Sequence, residues 1–172
     1  MAVLLGSKGL RVPVDFCVFI GGTSLAGRVA KFDHPDLEWT TETANLAGVL
    51  GSTTIKLDLK ELKAKLTLKD VNATLMGMFG REKNTPMVLR AAARSLDDSV
   101  DPLKITLIPK ITKLASGTWE PGKAGEQTYE FDLDYYKYED GGVTRFEIDK
   151  MNNILIVDGT DIWADMRAAL GQ

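Results

Sequence analysis

Few side chains in this 172-residue sequence have the types and spacing that catalysis requires. His34 is the single histidine, and its place before Pro35 in a presumed turn is typical of a solvated side chain. Cys17 is the single cysteine, so no internal disulfide can form, and the run FCVFI around it predicts a small core residue. Two such side chains are too few for a structural zinc site, and residues 21–24 (GGTS) lack the spacing and lysine of a phosphate loop. We therefore predict no catalytic residue, no metal and no cofactor.

The strongest chemical pattern is a row of acids in the segment YEFDLDYYKYED, residues 129–140. Alternate side chains of a strand point to opposite faces, so one face is predicted to hold Tyr129, Phe131, Leu133 and Tyr135. The other face is predicted to hold Glu130, Asp132 and Asp134, followed by Tyr136 and Tyr138. Neighbours on one face lie about 7 Å apart, which is too far for one metal ion to bridge the row. The acids form either a solvated face or a wall that repels polyanions such as nucleic acid.

A row of lysines follows the same alternation in another segment. The apolar side of the strand is predicted to hold Leu62, Ala64, Leu66 and Leu68. The polar side carries Lys63, Lys65 and Lys69. This row is either the solvated side of a half-buried strand or a subunit contact that pairs with an acidic strand and sets register. A phosphate-binding role is less favoured, because no aromatic residues interleave with the lysines.

The elements that position these rows are mainly antiparallel strands. Alternating or apolar runs bounded by glycine, proline and aspartate predict strands at residues 15–20, 86–98, 101–119, 129–138, 143–149 and 153–157. Pro109 lies within one of these runs and therefore implies an edge position or a bulge. A short internal helix is predicted within residues 68–80, capped by Asp70, and a C-terminal helix follows Thr160 and stops at Gly171. The fold class is therefore a β-sandwich or barrel with two helical additions.

The chain is predicted to be a single domain, residues 1–172, with two irregular segments. Residues 1–12 are predicted to be a flexible arm, and residues 40–54 a long loop of a kind that is usually functional. The candidate residues in that loop are Glu42, Asn45, Leu46, Gly48, Val49 and Leu50. The net charge of −3 argues against a general affinity for nucleic acid. The sequence has no signal-peptide pattern and no apolar run long enough to cross a membrane, so no membrane insertion is expected.

The C-terminal third resembles the major tail tube protein of contractile-tailed bacteriophages, a family that includes the tubes of R-type pyocins. The pattern is W-x-P-G-x-x-G-E, a long strand ending in YYKY, a glycine turn, F-E-I-D, an Asn, I-V-D-G-T-D, an Arg and a closing L-G. The matching residues are Trp119, Gly122, Glu126, Tyr135, Tyr136, Lys137, Gly142, Glu147, Ile148, Asp149, Asn153, Val157, Gly159, Asp161, Arg167 and Gly171. A thinner N-terminal match comprises Phe19, Gly22, Gly27, Pro35, Leu37, Glu42 and Gly48. The chain differs from the family pattern in the extra residues before Val14 and in the segment 40–54.

The resemblance implies a hexameric ring in which strands of six subunits join into an inner barrel. Rings then stack helically into a tube, which a contractile sheath surrounds and through which the genome passes. The implied partners are further copies of the chain, the sheath protein, the tape measure protein and DNA that passes without specific binding. The implied location is the phage tail, assembled in the host cytoplasm. We expect the loop 40–54 to reach a neighbouring ring. We expect this acid row, or another one, to face the bore, so that DNA slides without adhering.

Three other interpretations agree with the same residues. The first is the inner tube of a headless tail-like bacteriocin or of a type VI-like secretion machine. The second is a monomeric β-sandwich that binds a carbohydrate or peptide near Tyr136 and Tyr138. The third, more distant, is a small hydrolase that uses two carboxylates, such as Asp97-Asp98 or Asp132 with Asp134. With 24 acidic residues in the chain, carboxylate pairs are unavoidable, so such a pair has little diagnostic value.

Overall fold

The computed structural model describes residues 9–45, 47–48, 50–81 and 84–171. Over these residues the chain is mainly β, as predicted, with antiparallel strands and two short helices. The strands are β1 Arg11–Ile20, β2 Thr23–Ser24, β3 Val29–Asp33, β4 Trp39–Asn45, β5 Ser52–Leu59, β6 Lys63–Leu68, β7 Met87–Ser95, β8 Val100–Ala115, β9 Gln127–Asp140, β10 Val143–Asp149, β11 Ile154–Val157 and β12 Thr160–Asp161. The helices are α1 Ala73–Met76 and α2 Ala164–Leu170.

The long strand β9 organises the main sheet. One edge of β9 pairs with β8 along nearly its whole length, while the other edge pairs first with β6 and then with β10. The sheet continues from β8 through β7 and β1 to β2, and from β10 through β11 to β12, with β3 beside β6. Strands β4 and β5 form a separate two-stranded sheet. Every pairing in the described residues is antiparallel, which agrees with the short glycine turns between neighbouring strands.

The core lies on one side of the main sheet, where the alternating apolar residues meet. The predicted apolar side of β6 is buried as expected: Leu62, Ala64, Leu66 and Leu68 are at most 1% exposed. They pack with Tyr129, Phe131 and Leu133 of β9, which are equally buried. Each large apolar side chain buried in this way contributes roughly 1.5–3 kcal/mol. The core therefore fixes which side of β6 and β9 carries the lysines and acids.

The tyrosines at the end of β9 lie differently from the prediction. In the pairing with β8, Ile108 is opposite Tyr135, but the next residue, Pro109, is opposite Leu133. Asp134 therefore has no opposite residue on β8 and forms a β-bulge. A bulge shifts the side-chain alternation by one position. Tyr136 is therefore buried with the core, and Tyr138 packs against it. The prediction that Tyr136 and Tyr138 continue the acid face is wrong, whereas the prediction of a bulge or edge at Pro109 is confirmed.

Both helices are shorter than predicted. Asn72, and not Asp70, caps α1: its side chain accepts hydrogen bonds from the backbone N–H groups of Thr74 and Leu75. Thr160 belongs to β12, and α2 begins only at Ala164, with no side-chain cap at Trp163. The predicted stop at Gly171 is confirmed, because this residue adopts the left-handed conformation with φ of 75°.

The segment 40–54 is not an irregular loop. Most of it belongs to a β-hairpin formed by β4 and β5. At the base of this hairpin Trp39 is opposite Leu59, and near its tip Asn45 is opposite Ser52. Its alternation of small and polar residues gave no strand signal, because this part of the hairpin is mostly exposed and, of its described residues, only Trp39 and Leu59 at its base pack against the core. The predicted N-terminal arm also needs correction, since Arg11 and Val12 belong to β1, and residues 1–8 lie outside the described residues.

Candidate assembly surfaces

The acid row and the lysine row lie on one sheet face, directly opposite each other. In the β6–β9 pairing, Lys63 is opposite Asp132 and Lys65 is opposite Glu130. Strand β8 adds Lys110 opposite Asp132 and Lys113 opposite Glu130. Antiparallel strands place opposite side chains about 5 Å apart on the same face, so the register brings these lysines and acids close together.

Every acid of the row has a lysine partner in the same chain. Glu130 contacts Lys65 at 3.2 Å and Lys113 at 3.4 Å. Asp132 contacts Lys150 at 3.0 Å, and Asp134 contacts Lys110 at 2.8 Å. We call this set the charged face, and its members are Glu130, Asp132, Asp134, Lys63, Lys65, Lys110, Lys113 and Lys150. Since five lysines surround three acids, the acids do not form the uncompensated negative wall that the sequence suggested.

The ion pairs determine the net charge of the charged face, but they contribute little to the stability of the fold. Their side chains keep about a fifth to two-thirds of their surface exposed, and such pairs contribute little free energy of folding. The hydrogen bond from Lys65 is the main reason that the pKa of Glu130 lies below its ordinary value. The Glu130 carboxylate is therefore held in its ionised form at neutral pH, where it offsets positive charge of Lys65 and Lys113.

The predicted lysine row finds its partners within the chain. Lys63 contacts Glu61 at 2.6 Å, and Lys69 contacts Glu126 at 2.6 Å. Both edges of β6 are occupied, one by β3 and the other by β9, so this strand cannot join a neighbouring subunit through its backbone. A subunit contact through these lysine side chains stays a prediction, and it requires them to exchange their present partners.

The hairpin β4–β5 projects from the main sheet with most of its surface exposed. Of the residues predicted for contacts between rings, Glu42, Asn45, Gly48 and Leu50 are exposed, while Leu46 and Val49 lie outside the described residues. Ile55 and Leu57 on β5 are also 53% and 45% exposed. A two-stranded sheet without a covered face is only marginally stable alone, so this surface is suited to a partner.

The base of the hairpin is fixed to the C-terminal helix. Trp39 at the start of β4 stacks on Trp163, with ring centroids 5.8 Å apart. Lys56 lies over the Trp39 ring at 5.3 Å, a cation–π contact. On the other side, Arg167 of α2 forms an ion pair with Asp161 and donates to the carbonyl oxygen of Asn153. The sequence offered no signal for this tryptophan stack, which joins residues more than a hundred positions apart.

Strand β1 leaves most of one edge open among the described residues. One edge pairs with β7, but the other pairs with β2 only at Phe19 and Ile20. Along the open part, Val12 and Val14 are 51% and 61% exposed, and Leu10 just before the strand is 66% exposed. Unpaired strand edges with apolar side chains are sites where another strand adds to a sheet.

An apolar cavity of about 340 Å³ lies at the end of the core near His34. His34 packs edge-on against Phe32, with ring centroids 5.1 Å apart, and partial burial lowers the pKa of its imidazole. Tyr136 and Tyr138 line the same cavity, and burial raises the pKa of Tyr136 to about 12. The bulge at Asp134 turns Tyr136 and Tyr138 toward this cavity. The sequence placed the two tyrosines on one face but did not group them with His34.

The described residues contain no constellation suited to metal chemistry or membrane crossing. No three His, Cys, Asp or Glu side chains within the described ranges are arranged to hold a metal ion. In the same part of the chain, neither helix is long and apolar enough to cross a bilayer. Asp97 of the candidate acid pair instead accepts hydrogen bonds from Ser99 within a turn. The exposed surfaces, rather than a pocket, are thus the candidate functional sites.

The described fold is similar to that of chains in solved structures of contractile injection systems. One solved structure similar to it is a chain of the PVC extracellular contractile injection system, determined as a sheath–tube complex in the extended state. It has a TM-score of 0.56 and 11% sequence identity, covering 74% of this chain and 90% of that chain. A chain from the tube-terminating cap of the anti-feeding prophage has a TM-score of 0.55 and 12% identity, covering 81% and 99%.

The family follows from the sequence match. A model of the family described as phage tail tube protein FII matches residues 14–171, and the chain therefore belongs to that family. No curated protein sequence matches the chain. The family is structural and not enzymatic, so the chain is a structural subunit of a tail tube and a component of a virion or phage-like particle. The resemblance inferred from the C-terminal third of the sequence is confirmed.

Proposed function

We propose that six copies of this chain form a ring, and that rings stack helically into a hollow tube within a contractile sheath. The observation that carries the proposal is the open edge of β1, which the described residues of the chain leave unpaired over most of the strand. A sheet with open edges avoids uncontrolled association by closing on itself, and copies around an axis achieve such closure. A head-to-tail contact between successive rings then generates an open helical polymer.

Electron microscopy of the purified full-length chain tests the ring directly. At high protein concentration we expect rings or tubes of uniform width in negative stain. A variant with Val12→Lys and Val14→Lys places charges on the open edge, and it should remain monomeric and folded. The matched control, Leu57→Lys on the exposed hairpin, leaves the β1 edge intact and should still form rings. Rings from the edge variant would overturn the assignment of β1 as the joint.

The hairpin β4–β5 is the proposed contact between stacked rings. It carries the candidate residues Glu42, Asn45, Gly48 and Leu50, and its exposed apolar side chains can be covered by a neighbouring ring. Replacing residues 40–54 by a short Gly-Ser linker should leave single rings or soluble subunits. Long tubes after this replacement would contradict the proposal.

The charged face is proposed to line the bore through which phage DNA passes. Its three acids pair with Lys65, Lys110, Lys113 and Lys150 at 2.8–3.4 Å and offset most of their charge, which reduces what a passing polyanion gains from counterion release. The variant E130K/D132K/D134K replaces the row by positive charge. It should still form tubes, because the row contributes little to stability, but genome delivery should slow or stop. Normal delivery by this variant would show that the row lies elsewhere.

The remaining partners and the location follow from the proposed tube. The sheath protein would cover the outer surface, the tape measure protein would occupy the bore before ejection, and assembly would take place in the host cytoplasm. A headless injection machine is the second candidate, because the similar solved structures include an extracellular contractile injection system and the anti-feeding prophage. Particles purified from the producing cells separate the two: DNA-filled heads favour a phage, and tubes with sheath but without DNA favour the headless machine.

A further inference from the structure

We propose that neighbouring copies in the ring form a second joint, in which β3 of one copy pairs with the second half of β8 of the next copy. This inference rests on the proposed ring and names two strand edges that meet there. Among the described residues, β3 pairs only with β6 and leaves its other edge open. Strand β8 pairs with β9 as far as Ala115 but with β7 only as far as Leu107, so residues 108–115 also have one open edge in the described part of the chain.

The two open edges lie on opposite sides of one four-stranded layer, whose order is β3, β6, β9 and the second half of β8. All pairings in this layer are antiparallel, so β3 and β8 run in opposite directions. Rotation about an axis roughly along the strands preserves strand direction, and β8 of the next copy therefore meets β3 as an antiparallel neighbour. Each copy offers one edge of each kind, which is the head-to-tail arrangement that closes into a ring.

The joint uses the same side of the chain as the open edge of β1. The open edge of β8 faces away from β9, on the side where β7 and then β1 continue the sheet. One neighbouring copy can therefore contact both edges. The β3–β8 joint and the β1 joint thus belong to one ring and do not compete.

Apolar side chains at the two edges are only partly covered within one copy. Phe32 of β3 lies opposite the buried Leu66. Leu114 of β8 lies opposite the buried Tyr129, so both edge side chains face the core. Each is partly buried where it packs against the core cluster. An adjoining strand on each edge would cover the exposed part of these side chains, and the apolar layer would continue from one copy into the next.

Charged side chains on the other side of the layer give complementary ends to a row that crosses all four strands. The row consists of Asp33, Lys65, Glu130 and Lys113, and its signs alternate from strand to strand. Asp33 on the edge of β3 is 41% exposed and Lys113 on the edge of β8 is 64% exposed, so both can contact the next copy. Asp33 also contacts Lys31 at 2.6 Å and would share this partner across the joint. Opposite charges at facing edges favour pairing in this order.

Disulfide trapping on the full-length chain tests which strands meet. Closure of a sheet requires a stagger between strands, so Lys31 of β3 is combined in turn with three β8 positions on the same face, Lys110, Lys113 and Ala115. The variants are K31C/K110C, K31C/K113C and K31C/A115C, each in a C17S background. Within one copy β3 and β8 are three strand spacings apart, about 14 Å, so a disulfide at these positions joins two copies.

Under oxidation at high protein concentration, we expect one of these variants to form a ladder of cross-linked species up to six copies on a denaturing gel. The matched control replaces K31C by T67C, because Thr67 lies opposite Lys31 on β6 and is one strand farther from the joint. The variant should cross-link at least about tenfold faster than its control, since opposite positions of paired strands lie within disulfide range. Equal rates for all variants and their controls would overturn the joint.

Reversal of the charge at Asp33 provides a second test that needs no covalent bond. D33K places positive charge on both edges and should prevent ring formation, while circular dichroism should show an unchanged fold, because the side chain is partly exposed. The control D165K makes the same change at an exposed residue of α2, outside both edges, and should still form rings. Rings from D33K as abundant as those from D165K would overturn the assignment of β3 as an edge of the joint.

The joint and the proposed ring can fail separately. Rings in the electron microscope without faster cross-linking in any of the K31C variants would overturn the β3–β8 joint and leave the ring intact. Cross-linking that stops at dimers would support the β3–β8 joint and overturn the closed ring.

Discussion

Replacing two acids of the charged face by neutral amides should raise the affinity of this surface for DNA. In E130Q/D132N the amide side chains keep the size and much of the hydrogen bonding of the originals. The change leaves Lys65, Lys113 and Lys150 without the carboxylates that they contact at 3.0–3.4 Å. The perturbation is therefore electrostatic, and the fold should keep its stability, because partly exposed pairs contribute little to it.

The expected magnitude follows from these contacts. In the wild-type chain two carboxylates offset three lysines and leave an excess of one positive charge, whereas the variant leaves three. Each phosphate contact contributes about −0.9 to the slope of log K against log salt, so the slope should change from about −0.9 to about −2.7. Between 50 and 200 mM salt, the affinity of the variant should fall on the order of 40-fold, compared with about 3-fold for the wild type.

Fluorescence anisotropy of a labelled 20-base-pair duplex, titrated with free subunit at several salt concentrations, measures these slopes. The control D36N/D165N makes the same change in net charge at two exposed acids outside the charged face. If the control binds DNA as strongly as the variant, net charge alone explains binding. If the variant shows no steeper slope than the wild type, the reasoning that the acids neutralise this face is refuted.

Three further predictions concern the fold itself. Phe131→Ala truncates a core side chain that is 1% exposed and should lower the free energy of unfolding by about 3–5 kcal/mol, measured by urea denaturation. Gly117→Ala should destabilise the β8–β9 connection, because φ is +59° and the new β-carbon would lie 2.3 Å from the Glu126 carbonyl oxygen; thermal denaturation measures this. Burial lowers the pKa of His34, so the unfolded chain binds more protons, and stability should fall as pH drops below the ordinary value of about 6.5. His34→Gln should remove that part of the pH dependence.

Each of these has a clear contrary result. A loss below about 1 kcal/mol for Phe131→Ala would mean that the site is not a packed core position. Gly122→Ala has a similar φ of +78° but open space around the β-carbon, so an equal loss at both glycines would rule out the steric clash at Gly117. An unchanged pH profile in His34→Gln would show that the imidazole is equally solvated in the folded and unfolded chains.

The sequence by itself determined the features that depend on local chemistry. The alternation in residues 62–68 identified the buried side of β6, because side chains of any strand alternate between two faces. Turns and helix ends often need a residue with positive φ, which glycine adopts most easily. Glycine therefore indicated the turn at Gly141-Gly142 and the end of α2 at Gly171. The ordered motifs of the C-terminal third were sufficient to indicate the tail tube family.

Only the tertiary structure decided which distant residues meet. The lysine partners of Glu130 and Asp132 come from β6, β8 and the end of β10, and their identity depends on cross-strand register, which no local pattern encodes. The bulge at Asp134 moved Tyr136 into the core, because one extra residue opposite β8 reverses the alternation that the sequence predicts. The hairpin β4–β5 was not predicted because hydrophobic periodicity reports burial within one chain, and above Trp39 and Leu59 this hairpin is mostly exposed.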